Sequence, residues 1–121
     1  MKTMLIVDDS DFMRALLKML INDLDINVIG EAENGTIAVE KYKELSPDIV
    51  TMDIIMDESG GGMRALKEIM EYDPNAVVVI ISSSAGQKHM IEQAMELGAK
   101  AFFMKPVDKH KFAQEIKRLL S

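Results

Sequence analysis

Five apolar runs, each followed by a stretch of helical periodicity, constrain this chain more than any other feature. Met4–Val7, Val28–Ile29, Ile49–Met52, Ala76–Ile81 and Ala101–Met104 are short, and three of them lie beside the breakers Pro47, Pro74 and Pro106. Runs this continuous and β-branched suit strands covered on both faces, as in a parallel sheet. Between the runs, apolar residues recur at i, i+3 and i+4. The first stretch has Phe12, Met13, Leu16, Leu17, Leu20 and Leu24; the second has Ile37, Ala38, Tyr42 and Leu45. The third has Met63, Leu66, Ile69 and Met70; the fourth has Met90, Ile91, Ala94, Met95 and Leu97, with Gly98 as its stop. Phe112, Ile116, Leu119 and Leu120 form the last. Strand–helix repeated five times predicts an α/β fold, a doubly wound parallel sheet joined by right-handed crossovers. Asn34–Gly35 is often a hairpin signal, but a helical pattern follows it directly, so Asn34 reads as a helix cap.

At 121 residues the chain has room for one domain, residues 1–121, and none for a second. Its formal net charge of -6 argues against non-specific nucleic-acid binding and against attraction to an anionic membrane. The absence of cysteine excludes disulfides, thiolate zinc sites and cysteine nucleophiles, and is compatible with a reducing cytosol. No apolar run approaches the roughly 20 residues of a membrane helix. Asp8–Asp9 ends the first run too early for a signal-peptide core. His89 and His110 have no third ligand beside them and read as surface residues. The 11 methionines read mainly as core and helix-face fill. The acid is unevenly placed: residues 1–60 hold 13 acids and 5 bases, whereas residues 61–121 hold 7 acids and 9 bases.

Ligands of an open parallel sheet bind beyond the carboxyl ends of its strands. Asp8, Asp9 and Ser10 follow the first run, Asp53 the third, Ser82, Ser83 and Ser84 the fourth, and Lys105 the fifth. Parallel strands would bring these residues to one edge. Three carboxylates close together repel, and a divalent cation together with the Lys105 ammonium balances them. Hard oxygen ligands on an open site suit Mg²⁺, which favours a phosphate partner. A carboxylate can also be a nucleophile that forms an acyl phosphate. Asp53 is the best candidate, because it stands on a different strand from the Asp8–Asp9 pair. Read singly, each residue has a plainer role as a cap, a loop serine or a surface lysine; their joint occurrence at four strand ends is what points to a site.

Leu5–Ser10 continuing to Phe12–Met13–Arg14, Glu33–Asn34–Gly35 with Ala38–Val39, Pro47–Asp53, Gly98–Ala99 and Lys105–Pro106 together resemble the receiver domain of two-component response regulators. The likeness covers essentially the whole chain and is greatest to the stand-alone chemotaxis type. It implies a flavodoxin-like sheet of order 2-1-3-4-5 with five helices. It also implies roles. Asp53 would be the phosphoacceptor. Asp9 would hold Mg²⁺ directly, Asp8 largely through water, and the backbone carbonyl of Ile55 would be a further ligand. Ser83, chosen over Ser82 and Ser84 by its spacing of 22 residues to Lys105, would bond the phosphoryl oxygen. Lys105 would pair with the phosphoryl group, and Phe102 would be the switch aromatic. A cis Lys105–Pro106 peptide is expected, at little cost before proline.

The same resemblance implies a mechanism and partners. A histidine kinase of the chemotaxis type presents phosphohistidine, and Asp53 attacks it with Mg²⁺ assistance. Ser83 and Lys105 bind the new phosphate, Phe102 moves inward, and the face of the fourth helix, fifth strand and fifth helix repacks for its partners. With no effector domain in 121 residues, the domain itself is expected to be the output, as a cytoplasmic monomer that binds the flagellar motor switch. It would be a signalling protein rather than an enzyme, with no nucleic-acid or membrane partner. A phosphorelay intermediate and a degenerate, protein-binding receiver are the competing readings.

The chain departs from the family between Asp53 and Met63. Met56–Asp57 replaces the usual Met-Pro, Asp57 and Glu58 add negative charge, and Gly60–Gly61–Gly62 follows with one residue extra. Three glycines predict a mobile loop, and with it a weaker or altered metal site. The family's two hydrolysis-tuning positions hold Ile55 and Ala85, neither of which orients a water through its side chain. Slow self-dephosphorylation and reliance on a separate phosphatase are therefore expected. A Mg²⁺-dependent phosphohydrolase would need a second aspartate at Ile55, and a flavin module would suffer repulsion between its phosphate and Asp8–Asp9.

Overall fold

The computed structural model describes residues 1–54, 61–83 and 88–121. Among these residues strands and helices alternate: β1 (Lys2–Val7), α1 (Asp11–Leu20), β2 (Ile26–Ala32), α2 (Gly35–Leu45), β3 (Ile49–Asp53), α3 (Gly61–Tyr72), β4 (Val78–Ser82), α4 (Lys88–Leu97), β5 (Ala101–Met104) and α5 (Lys109–Leu120). The five strands form one parallel sheet of order β2-β1-β3-β4-β5, as expected.

Alternation along the strands divides the core into two layers. Leu5, Val7, Val50, Met52, Val78 and Ile80 pack with Ala38, Leu66, Ile69 and Ala94 of α2, α3 and α4. Met4, Ile6, Ile49, Val79 and Ile81 pack on the other face with Leu17 of α1 and with Phe112 and Ile116 of α5. Burying a side chain such as Phe112 completely is worth about 1.5–3 kcal/mol, and its ring meets Phe103 edge-to-face at 5.2 Å. Because the central strands are buried on both sides, with Thr51 enclosed in the middle of β3, charged groups are kept to the strand ends, where the chemistry gathers.

Local signals set the helix starts. The Ser10 hydroxyl accepts the Met13 N–H at 3.2 Å, and Asn34 Oδ1 accepts the Ile37 N–H at 2.9 Å, so Asn34 is the cap its context implied. Gly98 has φ +118°, a left-handed conformation that ends α4. Gly61 and Gly62 do not extend a loop: they form the first turn of α3. A Cβ on Gly62 would stand 2.4 Å from the Asp53 carbonyl oxygen, so glycine here is a packing requirement. The remaining residues of the glycine-rich stretch predicted to be mobile, Asp57 to Gly60, lie outside the described residues. Two other expectations are corrected. Phe12 is 73% exposed rather than on the core face of α1, and Leu24 lies beyond the end of that helix. Among the described residues no helix is long and apolar enough to cross a membrane.

Candidate functional site

Asp8 follows β1 directly, and its backbone N–H donates to the Ala32 carbonyl at 3.0 Å, so the sheet register continues through it. One carboxylate oxygen accepts the Ser10 N–H at 2.9 Å; the other accepts from Lys105 Nζ at 3.1 Å. Asp53 is the last residue of β3, paired with Ile81 of β4. Asp8 and Asp53 are almost wholly buried, at 1% and 4% exposure. Asp9 is exposed.

Parallel topology brings these residues together. One carboxylate oxygen from each of Asp8, Asp9 and Asp53 falls within 4.8 Å of the others. Lys105 reaches in from the end of β5, with its ammonium 3.3 Å from Asp53 Oδ2. Its backbone N–H donates to the Ser82 carbonyl at 2.7 Å, and its peptide bond to Pro106 is cis. Burial works against the charged ammonium, but the carboxylates of Asp53 and Asp8 outweigh it and hold the Lys105 pKa above the ordinary lysine value.

Three carboxylates against one ammonium leave an excess of two negative charges. Hard oxygen donors and that charge fit Mg²⁺, and Asp8, Asp9 and Asp53 are the residues that could hold it. The exposed carboxylate of Asp9 keeps one side open to water and to an incoming anion. The expected ligand Ile55 lies outside the described residues, as do Ser84 and the hydrolysis-tuning Ala85.

The serines divide in a way that residue spacing did not reveal. Ser83 is exposed, in the bend after β4, whereas Ser82 is fully buried as the last residue of that strand. Ser82 directly follows Ile81, the residue paired with Asp53. Phe102 is half-buried on β5 and packs against the layer shared with α3 and α4. His89 and His110 are both exposed.

Sequence reasoning missed the group that surrounds the Asp8 backbone. Arg14 of α1 donates from Nη1 to the Asp8 carbonyl and from Nε to Glu31 Oε1 of β2 at 2.9 Å. It also pairs with Asp11, and Lys18 pairs with the other oxygen of Glu31. The Lys18 ammonium, opposed by desolvation and helped by Arg14, holds the Glu31 carboxyl below its ordinary pKa. The available signal was the i, i+4 spacing of Arg14 and Lys18, which sets two cations on one helix face.

Comparison with known proteins agrees with this geometry. The family model described as "Response regulator receiver domain" matches residues 4–117. The chain is 49% identical over 118 residues to the chemotaxis protein CheY of Thermotoga maritima, covering 98% of this chain and 97% of that protein. It is 46% identical over 117 residues to CheY of Bacillus subtilis, covering 97% and 96%. In structure it is similar, with TM-score 0.91 and 37% identity, to a chain of the CheX–CheY–BeF3–Mg²⁺ complex from Borrelia burgdorferi, covering 99% of this chain and 90% of that one. A family model spanning nearly the whole sequence, close relatives of equal length and a matching sheet order lead to one conclusion: the chain belongs to the response regulator receiver domain family.

Proposed function

We propose that this receiver is a phosphorylation-activated chemotaxis regulator, in which Asp53 accepts a phosphoryl group from the phosphohistidine of a histidine kinase. The observation that carries this reading is the convergence of Asp8, Asp9, Asp53 and Lys105, from the ends of three strands, in one partly open pocket. Mg²⁺ held by the three aspartates, with Ile55 supplying a backbone carbonyl, would neutralise charge on the phosphoryl oxygens.

The chain's own residues account for the transfer and its readout. A carboxylate oxygen of Asp53 attacks phosphorus; the P–O bond forms as the P–N bond to histidine breaks, and the departing imidazole takes up a proton. Lys105, already between Asp8 and Asp53, turns its ammonium to a phosphoryl oxygen. The Ser83 hydroxyl, just past the end of β4 and 22 residues before Lys105, donates to another. The rearranged β4–β5 edge gives Phe102 a second position, and the α4–β5–α5 face shifts between two populations that a partner distinguishes. The flagellar motor switch is the proposed partner, and the protein acts as a cytoplasmic monomer without enzymatic turnover of a separate substrate. Ile55 and Ala85 offer no side-chain donor to a hydrolytic water, so the acyl phosphate decays slowly and a separate phosphatase removes it.

Incubation with acetyl phosphate and MgCl₂, followed by intact mass measurement, tests the reading. The protein should gain one phosphoryl group; Asp53→Asn and an EDTA-treated sample should not. An equal gain in Asp53→Asn, or none in the unaltered protein, would overturn it. A phosphoryl lifetime of seconds in the isolated protein would overturn the slow-decay part alone.

A further inference from the structure

Asp8 is fixed through its backbone and both carboxylate oxygens, but Asp9 is not. Among the described residues no hydrogen bond holds the Asp9 side chain, which is exposed. Its carboxylate nevertheless stands within ligand reach of Asp8 and Asp53. What aims it is the peptide that joins it to Asp8, and the carbonyl of that peptide accepts the Arg14 guanidinium.

We infer that Arg14 is a positioning residue for the metal pocket: anchored on Glu31, its guanidinium fixes the Asp8–Asp9 peptide and so directs the Asp9 carboxylate towards Asp53. The inference rests on the proposed Mg²⁺ site. Three observations support it. The Arg14 side chain is only 12% exposed, so its geometry is enforced by packing. Its donors reach three elements at once: Asp8 after β1, Glu31 on β2 and Asp11 on α1. Glu31 is held in turn, because β1–β2 pairing sets it opposite Ile6 while Lys18 occupies its second oxygen. A planar fork with two committed faces orients a peptide in a way that a single ammonium cannot.

The sign of the effect separates orientation from charge. Arg14 is a cation beside an anionic pocket, so deleting it for charge reasons alone would tighten Mg²⁺ binding. Deleting an orienting contact weakens it, commonly by tenfold or more. Calorimetric titration of the full chain with MgCl₂ should show Arg14→Gln binding about tenfold more weakly than the unaltered protein. Arg14→Lys, which keeps the charge and loses the fork, should bind severalfold more weakly. Lys18→Ala, which loosens Glu31 but leaves the Arg14 contact to the Asp8 carbonyl, should weaken binding less than Arg14→Lys does. In the acetyl phosphate reaction, Arg14→Gln should need about tenfold more Mg²⁺ for half-maximal rate and reach the same maximum. Mg²⁺ binding by Arg14→Gln that equals or exceeds the unaltered protein's would overturn the inference and leave the site standing. Absence of Mg²⁺ binding by the unaltered protein would overturn both.

Discussion

Lys105 and Asp8 stand 97 residues apart in the chain, yet Nζ and Oδ2 meet at 3.1 Å. The same ammonium lies 3.3 Å from Asp53, so one cation serves two carboxylates that are nearly sealed from water. Removing one partner of a buried ion pair costs about 3–5 kcal/mol, chiefly by leaving charge uncompensated. Lys105→Met should therefore melt well below the unaltered protein in EDTA. Mg²⁺ should raise its melting temperature by more than it raises the unaltered protein's, because the metal then supplies the missing positive charge. Equal melting of the two proteins in EDTA would show that Lys105 does not compensate these carboxylates.

Gly62 rests against the backbone of the acceptor strand. A Cβ there would lie 2.4 Å from the Asp53 carbonyl oxygen and 2.5 Å from Ile54 Cα, and neither backbone atom can swing aside. Overpacking of this kind costs about 1–3 kcal/mol. Gly62→Ala should lower the urea midpoint accordingly, and phosphorylation from acetyl phosphate should slow, since the strain falls on Asp53 itself. Unchanged stability would mean that the first turn of α3 has room to retreat.

The central strands were legible because burial on both faces leaves an unbroken apolar run: Met4 to Val7 and the whole of β3 and β4 are buried. β2 was legible only at Val28–Ile29, since an edge strand half open to solvent accommodates Asn27, Gly30 and Glu31, which dilute the signal. Phe12 and Leu24 misled for a related reason: periodicity records apolar residues but not where the helix stops or which side meets solvent. Asp8, Asp9, Asp53 and Lys105 were legible as strand-end residues, because parallel topology sends all strand ends to one edge. The Arg14–Glu31 clamp was not, because it depends on the β1–β2 register, which shifts between Met4 and Leu5 where Gly30 is the sole sequence sign of an irregularity.

At the opposite end of the sheet, Asp48 ties the entry of β3 to β1. Its Oδ2 accepts the Thr3 backbone N–H at 2.8 Å and the Thr3 hydroxyl at 3.0 Å. The Thr3 N–H, then the hydroxyl, hold the Asp48 carboxyl below its ordinary pKa of 3.8. A lowered folded-state pKa gives stability that is fully present above pH 3.8 and is lost as the pH falls through the lowered value. Asp48→Asn should flatten the acid limb of a stability-versus-pH curve and leave its neutral region only slightly lower. Superimposable acid limbs would show that this carboxylate is not linked to folding.

The serine pair at the end of β4 sets two assignments against each other. Counting 22 residues back from Lys105 selects Ser83, which is exposed. Ser82 is fully buried and accepts the Lys105 N–H on its carbonyl, but strand alternation turns its side chain to the layer of Ile80, whereas Asp53 shares the face of its partner Ile81. A hydroxyl that stabilises a phosphoryl oxygen must reach the face on which the acceptor carboxylate stands, and alternation returns to that face at Ser83, one residue past Ser82. Ser83→Ala should slow phosphorylation from acetyl phosphate by at least about tenfold, the worth of one hydrogen bond to a charged group. Ser82→Ala should stay within twofold. Rates measured at saturating MgCl₂ exclude a change in metal affinity, and a thermal melt of each variant excludes misfolding. The opposite order of rates would give the role to Ser82.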